Sequence, residues 1–253
     1  MLADFEYTVG LSNGHAQYWA PVDSKTTRFD DTGIIPGEYT LTIYKNELPV
    51  YVAPSKISIV AGSIMNLKTI TIHGDPQKTP ALWRIGIWDG TPLELLNGHL
   101  LTAMHPSDKR LTTWVQSEPY VVGIASRADQ FPAYQWKDVN GRLSIQFQLP
   151  EVPSGQLTLR IGTTTEFNSA VPQVMLNKSW ISPAPKNRPV KGSRNLTVGT
   201  YRGVNRLYTI DLPNSVLRVG TNQIELSVLS NLQGSLFQSH ATSYDAIDLV
   251  QKP

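Results

Sequence analysis

The sequence predicts an all-β protein. Short runs in which apolar and polar residues alternate recur along the 253-residue chain, as expected for half-buried strands. Turn-forming residues separate these runs, and 18 glycines and 18 prolines are too many for long helices. The even spacing of the short strands favours a β-sandwich or jelly roll over a parallel α/β sheet.

The predicted strands fall into two groups. They are YTLTIYK (39–45), KISIV (56–60), LKTITI (67–72), LSIQFQL (143–149), QLTLRIG (156–162), NRLYTIDL (205–212), NQIELSVL (222–229) and AIDLV (246–250). Helical spacing is limited to a turn or two between Glu94 and Leu101. The polar segment HGDPQKTP (73–80) separates the two groups. We therefore expect a small sandwich over residues 1–74 and a larger one over residues 82–253.

Composition excludes several classes of protein. The chain is 40% hydrophobic and 17% charged, so it can bury a sizeable core and is not a disordered tail. It contains no apolar run of about 18 residues, the length that a membrane-spanning helix needs. The absence of cysteine excludes disulfides and thiolate metal sites. The first ten residues, MLADFEYTVG, show neither the basic nor the apolar region of a signal peptide.

Positive charge is concentrated in one stretch. The net charge of +2 and the pI of about 8.7 do not predict nucleic-acid binding. Residues 186–206, here called the basic segment, contain six cations and no acid: Lys186, Arg188, Lys191, Arg194, Arg202 and Arg206. Such a segment suits an acidic ligand, and a solvated basic loop is the alternative.

The sequence offers no convincing catalytic constellation. GLSNG (10–14) matches the spacing of a hydrolase nucleophile elbow, which needs a helix after the serine. The strand-like HAQYWAPV follows instead, and Asn13-Gly14 favours a hairpin, so we expect Ser12 to lie in a turn. The five histidines lack metal-binding spacing, and no phosphate-binding glycine loop occurs.

Aromatic residues are a stronger sign of ligand binding. Those of interest follow residue 80: Trp83, Trp88, Trp114, Trp136, Trp180, Tyr201 and Tyr208. Aromatic rings can stack on the apolar faces of sugars, and arginine binds carboxylates, so together they suit an acidic polysaccharide. We expect Trp83, Trp88 and Trp136 to be core residues. Tyr201 and Arg202, within the glycine-flanked GTYRG, are better candidates for an exposed site.

Two sequons are candidates for N-glycosylation. They are Asn177-Lys178-Ser179 and Asn195-Leu196-Thr197. Such triplets also occur by chance, and they support a secreted origin only weakly.

The order of motifs resembles a known family. AQYW, PGEYTLTIYKNELPV, RIGIWDGTP, MHPSDKRLTTW, LTLRIGTT, GTYRGVNRLY and YDAIDLV occur in this order along nearly the whole chain. They resemble the C-terminal half of family 4 polysaccharide lyases, the rhamnogalacturonan lyases of fungal type. The resemblance implies a fibronectin-III-like (immunoglobulin-like) sandwich followed by a jelly roll that resembles carbohydrate-binding modules.

The resemblance also implies a function. Lyases of this family cleave the pectin backbone by β-elimination, with a catalytic Lys and His in an N-terminal domain. No residue of this chain matches that pair, so we carry over no catalytic residue and expect the chain alone to be inactive. The expected partners are rhamnogalacturonan I and the parent catalytic domain, with no nucleic acid or membrane, and the expected location is extracellular. Two roles remain open: binding pectic polysaccharide, with Tyr201, Arg202, Arg206, Lys191 and Arg194 as candidates, or bracing the catalytic domain.

In the family pattern MHPSDKRLTTW follows the first jelly-roll strand. Pro106-Ser107-Asp108 predicts a turn that caps a short helix. We expect His105, Asp108 and Arg110 to hold this loop to its neighbours, a structural or docking role rather than ligand contact.

The chain departs from the family pattern in two places. The first strand of the fibronectin-like domain is expected to be missing, which would leave a sheet edge open or differently covered. In jelly-roll sugar modules an early acid and a late Asp often share a structural Ca²⁺. Asp245 fits the late position, but Ile87 stands where relatives have an acid and its side chain offers no oxygen. Asp89 is the candidate substitute.

Overall fold

The computed structural model describes residues 7–13, 15–45, 48–72, 79–100, 118–123, 126–184 and 205–251. Contacts divide the chain into two compact units, Met1–Thr79 and Pro80–Pro253. The described residues are organised mainly as β-strands, joined by loops and short 3₁₀ turns. None of the helical segments in these ranges has the length and hydropathy needed to cross a bilayer.

The described strands are numbered in chain order. They are β1 (Tyr7–Ser12), β2 (Gln17–Pro21), β3 (Gly37–Lys45), β4 (Leu48–Val52), β5 (Ile57–Ile59), β6 (Trp83–Gly86), β7 (Tyr120–Val121), β8 (Tyr134–Trp136), β9 (Leu143–Leu149), β10 (Leu157–Phe167), β11 (Val171–Leu176), β12 (Trp180–Ile181), β13 (Arg206–Leu212), β14 (Gly220–Leu229) and β15 (Ala241–Gln251).

The first unit is built on one antiparallel sheet. Its strands lie in the order β2-β1-β3-β4, and β5 pairs with the start of β3. Ser12 is the last residue of β1, opposite Gln17, so the prediction that it lies in a turn is wrong by one position, and Asn13 begins the turn. The buried face of the sheet carries the core residues Val9, Leu11, Tyr39, Leu41 and Ile43.

Two extended segments cover that face without forming a ladder. Phe29 and Ile34 from one segment, and Ile70 and Ile72 from the other, pack against the core of the sheet. Residues 67–72 have the alternation of a strand but pair with no neighbouring strand among the described residues. The prediction of a strand here is therefore wrong, because alternation requires only one buried face and does not supply a hydrogen-bonding partner.

The second unit is a sandwich of two sheets. The first sheet has the order β13-β10-β15-β6, with β8 also pairing with β15, and the second has the order β12-β11-β14-β9-β7. Between them lies one hydrophobic core that includes Trp83, Trp136, Phe147, Leu159 and Ile247. The strands predicted at 143–149, 205–212 and 222–229 are confirmed to within two residues at each end, and the strand predicted at 246–250 lies inside the longer β15. The helical spacing before Leu101 corresponds only to a 3₁₀ turn at Gly98–Leu100.

Two long central strands set the character of the second unit. Every residue of β10 is buried, and so is every residue of β15 except Gln251. Because alternate residues point to opposite faces, polar side chains on both strands are removed from water and need partners inside the protein. These polar residues form the sites described below.

We predict that substitution of Gly162 by alanine destabilises the second unit. A Cβ at this position would lie 2.6 Å from a ring atom of Trp88 and 3.1 Å from the Asp245 carboxylate. Overpacking of this kind costs about 1–3 kcal/mol, measurable by urea unfolding. Gly123→Ala is the control because a Cβ there meets nothing within 4 Å; equal stability of the two variants would contradict the packing.

Candidate functional site

Most of the proposed sugar-binding residues lie outside the described ranges. This applies to Lys191, Arg194, Tyr201 and Arg202, to the sequon at Asn195, and to the whole MHPSD loop. Of the basic segment, the structure describes Asn205 and Arg206 only. The contacts of Asn205 and Arg206 therefore define the described end of the candidate site.

Arg206 is anchored to a buried carboxylate. It begins β13 opposite Thr163 of β10, and its Nε lies 3.3 Å from Oε2 of Glu166. Glu166 is 1% exposed; its Oε1 accepts hydrogen bonds from the hydroxyls of Tyr208 and Thr163. Burial and the adjacent Glu166 carboxylate raise the pKa of Tyr208, which keeps its hydroxyl protonated as a donor. The Arg206 side chain still reaches solvent, and this ion pair joins the first residue of β13 to β10.

Asp245 is a buried acid beside the turn that follows β6. Its Oδ1 accepts hydrogen bonds from the backbone N–H groups of Gly90 at 2.9 Å and Asp89 at 3.3 Å. Its Oδ2 is buried without a hydrogen-bond partner. Burial, and next the charge of Asp89, raise the pKa of Asp245 well above its ordinary value, and Glu94 contributes in the same direction. The carboxyl thus favours its neutral form.

Neighbouring polar groups complete this turn. Glu94 accepts a hydrogen bond from the backbone N–H of Ile87, and burial raises the pKa of the Glu94 carboxyl. Asn205 donates from Nδ2 to the carbonyl of Gly90 at 2.9 Å, and its Oδ1 is buried without a partner. Asn205 therefore ties the end of the basic segment to the same turn that Asp245 holds.

The carboxylates as placed do not form a calcium cage. Within the described ranges, no group of three or more His, Asp or Glu side chains is positioned to hold a metal ion. Asp89 uses its Oδ1 to accept hydrogen bonds from the backbone and hydroxyl of Thr91, and Ile87 supplies no side-chain oxygen. The unpartnered Oδ2 of Asp245 is the single feature in favour of a cation. Ca²⁺ requires six or more oxygens, and the described carboxyls of Asp245, Asp89 and Glu94 are not placed to hold a metal ion together.

A second buried cluster centres on Asp248. Its Oδ1 accepts a hydrogen bond from Nε of Arg160 at 2.7 Å. Its Oδ2 accepts from Nη2 of Arg160, Nε of Arg84 and Nε1 of Trp88 at 2.6 to 2.9 Å. The Arg160 guanidinium also lies over the Trp88 ring, 5.3 Å from its centroid. Asp248 is fully buried, so this bidentate pair is satisfied entirely within the protein.

Asn177 has a structural role in a tight turn. It has a positive φ of 50° in the turn that connects β11 and β12. Its Nδ2 donates to the carbonyl of Val216 at 2.8 Å and to Oδ1 of Asn222 at 2.9 Å, and its Oδ1 accepts from the backbone of Gln223. Both amide hydrogens are used, so a glycan on Nδ2 would displace one of these bonds.

Three of the tryptophans lie in the core, as expected. Trp83, Trp88 and Trp136 are 8%, 1% and 0% exposed, which confirms their prediction as core residues. Trp180 and Tyr208 are partly buried against the core. The buried Trp83, Trp88 and Trp136 are therefore not candidates for stacking on a sugar.

Four residues of these clusters were not among those predicted from the sequence: Arg160, Asp248, Glu94 and Glu166. A signal was present for the first two, because a charged residue interrupts each apolar strand, in LTLRIG and AIDLV. In the structure these two residues lie directly opposite each other in the sheet. Glu94 and Glu166 left no comparable pattern in the sequence.

We predict that Asp245→Asn raises the free energy of unfolding at pH 7. With a folded-state pKa above the unfolded-state value, the carboxyl costs no stability below its ordinary pKa and opposes folding as the pH rises above it. The gain should therefore shrink as the pH falls towards 3. Thermal unfolding of the wild type and the variant between pH 3 and pH 7, with calcium and with a chelator, measures this stability gain. A melting temperature that rises with calcium in the wild type and not in the variant would contradict this account.

We predict that Asn177→Ala lowers the free energy of unfolding by about 1–3 kcal/mol, because it leaves buried partners without hydrogen bonds. Ser179→Ala is the matched control: it also destroys the sequon but removes only a long contact of 3.5 Å to Leu176. Urea unfolding compares the two variants. If both are as stable as the wild type, Asn177 has no structural role; mass spectrometry of protein made in a glycosylating host should find no glycan on it.

Comparison with known proteins places the chain in a family. Residues 1–67 match the family model described as polysaccharide lyase family 4, domain II, and residues 81–249 match polysaccharide lyase family 4, domain III. These are the fibronectin-III-like and the carbohydrate-binding-module-like domains, in agreement with the predicted fold class.

Curated relatives agree with this match. Rhamnogalacturonate lyase A of Emericella nidulans is 35% identical over 249 residues, 98% of this chain and 45% of that protein. A relative from Aspergillus fumigatus is 36% identical over 247 residues, 98% of this chain and 45% of its own length. Rhamnogalacturonate lyase A of Aspergillus aculeatus is 33% identical over 249 residues, 98% and 46% respectively. The chain thus spans a little under half the length of these relatives, and it belongs to polysaccharide lyase family 4, of which it contains domains II and III.

Proposed function

We propose that this chain is the non-catalytic part of a rhamnogalacturonan lyase and that its second unit binds acidic pectic polysaccharide. The match to domains II and III of the lyase family carries this proposal. The substrate class follows from the relatives, which are rhamnogalacturonate lyases. An extracellular location, where pectin is found, is part of the same proposal.

The charge of the basic segment supports an acidic ligand. Six cations without an acid, together with Tyr201, offer guanidinium groups for uronate carboxylates and a ring for the apolar face of a sugar. The anchoring of Arg206 by Glu166, and of Asn205 by Gly90, fixes the end of this segment on the sheet. A fixed end reduces the conformational entropy that a binding segment loses when it meets its ligand.

Catalysis is not part of the proposal for these two domains. β-Elimination needs a base for the C5 proton and a cation to hold the carboxylate. The buried carboxylates of Asp245, Glu166 and Asp248 contact protein groups rather than an open cleft. We therefore assign the chemistry of the parent enzyme to its catalytic domain.

The alternative function is purely structural. Both domains would then brace the catalytic domain without contacting sugar. A brace would show no affinity for pectin but would raise the stability of the catalytic domain when the two are combined.

We predict that the chain binds rhamnogalacturonan I oligosaccharides without cleaving them. Calorimetric titration measures binding, with homogalacturonan as the comparison ligand. Ultraviolet absorbance of the same samples tests for an unsaturated uronate product. Tyr201→Ala and Arg202→Ala should each weaken binding about tenfold, the loss expected when one stacking or bidentate contact is removed.

The control for these variants is Arg142→Ala, a surface arginine 75% exposed whose nearest carboxylate is 3.7 Å away. Arg206→Ala is less informative, because loss of its ion pair with Glu166 would also affect folding. Unchanged affinity in the Tyr201 and Arg202 variants would remove them from the site. Absence of any binding by the wild type would leave the bracing role.

A further inference from the structure

The turn after β6 contains the single Asp-Gly pair of the sequence, Asp89-Gly90. A peptide bond that follows aspartate can be attacked from within, because the backbone nitrogen of the next residue can reach the side-chain carboxyl carbon and close a five-membered ring. Glycine obstructs this closure least, because it has no Cβ. The contacts around the pair decide whether the fold prevents the closure or promotes it.

The Asp89 carboxyl is held in position for ring closure. Its Oδ1 accepts hydrogen bonds from the backbone N–H and from the hydroxyl of Thr91, both at 2.8 Å. A bond from the side chain to the backbone two residues on is an Asx turn, which folds the carboxyl back over the peptide bond between Asp89 and Gly90. Negative charge develops on Oδ1 when the ring closes, and two preorganised donors stabilise such an oxyanion.

The nitrogen of Gly90 faces a carboxyl that can take its proton. Gly90 donates its N–H to Oδ1 of Asp245 at 2.9 Å, and the N–H of Asp89 lies 3.3 Å from the same oxygen. The carboxyl of Asp245 therefore lies beside the nitrogen that would attack. An acceptor within hydrogen-bond distance of the proton to be removed meets the geometric requirement for a general base.

Asp245 is also able to return a proton. Its side chain is fully buried, and its Oδ2 has no hydrogen-bond partner within the described ranges. Burial raises the pKa of Asp245 and favours the neutral form, in which Oδ2 carries a proton while Oδ1 accepts the one from Gly90. A carboxyl used in this way exchanges two protons without changing its charge, so no ion has to be created in a buried site.

The surroundings hold the reacting groups in place. Asn205 donates from Nδ2 to the carbonyl of Gly90 at 2.9 Å, and Gly90 is buried, with a φ of 82°. Trp88, the residue before Asp89, is fixed by the bond from its indole N–H to Asp248. The nucleophile, the carboxyl and the proton acceptor are therefore ordered before the reaction, which removes the conformational search that an unfolded peptide must make.

We propose that Asp89-Gly90 is a self-modifying site, at which the fold promotes conversion of Asp89 into isoaspartate. The Gly90 nitrogen attacks Cγ of Asp89 in its acid form, and the proton of this nitrogen passes to Oδ1 of Asp245. The bond from Cγ to Oδ2 of Asp89 then breaks. This oxygen leaves as water, with its own proton and the proton that Asp245 returns. Hydrolysis of the resulting succinimide at the main-chain carbonyl breaks the original peptide bond and leaves Gly90 attached through Cγ.

The product alters the turn that contains it. Isoaspartate adds one methylene to the main chain, which moves Gly90 relative to its partners Asp245 and Asn205. The modification is thus a slow ageing of the second unit. It needs no cofactor or oxidant, and it does not rest on the proposed binding of pectin.

Prolonged incubation of the purified chain at neutral pH tests the proposal. Peptide mapping with electron-transfer fragmentation measures succinimide and isoaspartate at position 89. The reference is a synthetic peptide of residues 86–94, GIWDGTPLE, which contains the same pair without the fold. We expect the folded chain to react about tenfold faster than the peptide, because its groups are prepositioned. A folded chain that reacts no faster than the peptide overturns the proposal.

Two variants separate proton transfer from stability. Asp245→Asn keeps the shape and an acceptor oxygen but cannot exchange protons. It should slow the reaction about tenfold or more, since a positioned acid or base contributes about 10²–10⁴ in rate. Asn177→Ala, in the turn between β11 and β12, is expected to be less stable and should react at the wild-type rate. An unchanged rate in Asp245→Asn, or a faster one in Asn177→Ala, overturns the proposal, because the reaction would then proceed through the opened chain.

A matched pair at Thr91 tests the stabilisation of the oxyanion. Thr91→Val removes the hydroxyl that donates to Oδ1 of Asp89 and should slow the reaction. Thr91→Ser keeps this donor and should retain the wild-type rate. Thermal unfolding checks that both variants are folded. Equal rates in the two variants contradict the assigned role of the hydroxyl.

Discussion

The second unit depends on a carboxylate that is completely removed from water. Asp248 lies at the centre of β15, a strand buried on both faces, and it is neutralised by Arg160 from β10 and bonded by Arg84 from β6. Three adjacent strands thus meet at one charge. Loss of one partner from such a buried pair costs about 3–5 kcal/mol, because the remaining charge stays in a medium of low polarity. The cluster therefore specifies which strands are neighbours as well as how firmly they are held.

The turn after β6 follows from this arrangement. Trp88 donates its indole N–H to Asp248 and lies beneath Arg160, which brings Asp89 and Gly90 over β15. Asp245, three residues before Asp248, then receives the backbone N–H groups of that turn. Because Gly162 has no side chain, Trp88 and Asp245 can both approach β10. Packing around a charge in one strand has in this way determined the environment of a second acid.

Alternation located most of the predicted strands because it records burial, but it also predicted one at 67–72, where the chain buries a face without pairing. It could not predict the pairing of Arg160 with Asp248, since these residues are 88 positions apart and their meeting depends on sheet order. The same limit explains Asn177, where a glycosylation motif coincides with a turn whose partners lie at Val216 and Gln223. Asp245 and Asp89 are calcium candidates by their positions in the chain, but position alone does not show which carboxylate oxygens accept hydrogen bonds from the protein. The sugar-binding residues around Tyr201 remain predictions from charge and motif.

The uneven hydrogen bonding of the two units has a consequence for how the chain opens. In the first unit, the segments bearing Phe29 and Ile70 contribute apolar contacts without a described ladder, whereas both layers of the second unit are hydrogen-bonded sheets. Amide hydrogens exchange with solvent where local opening is cheapest. Exchange should therefore begin in those covering segments of the first unit, with β10 and β15 among the last strands to exchange.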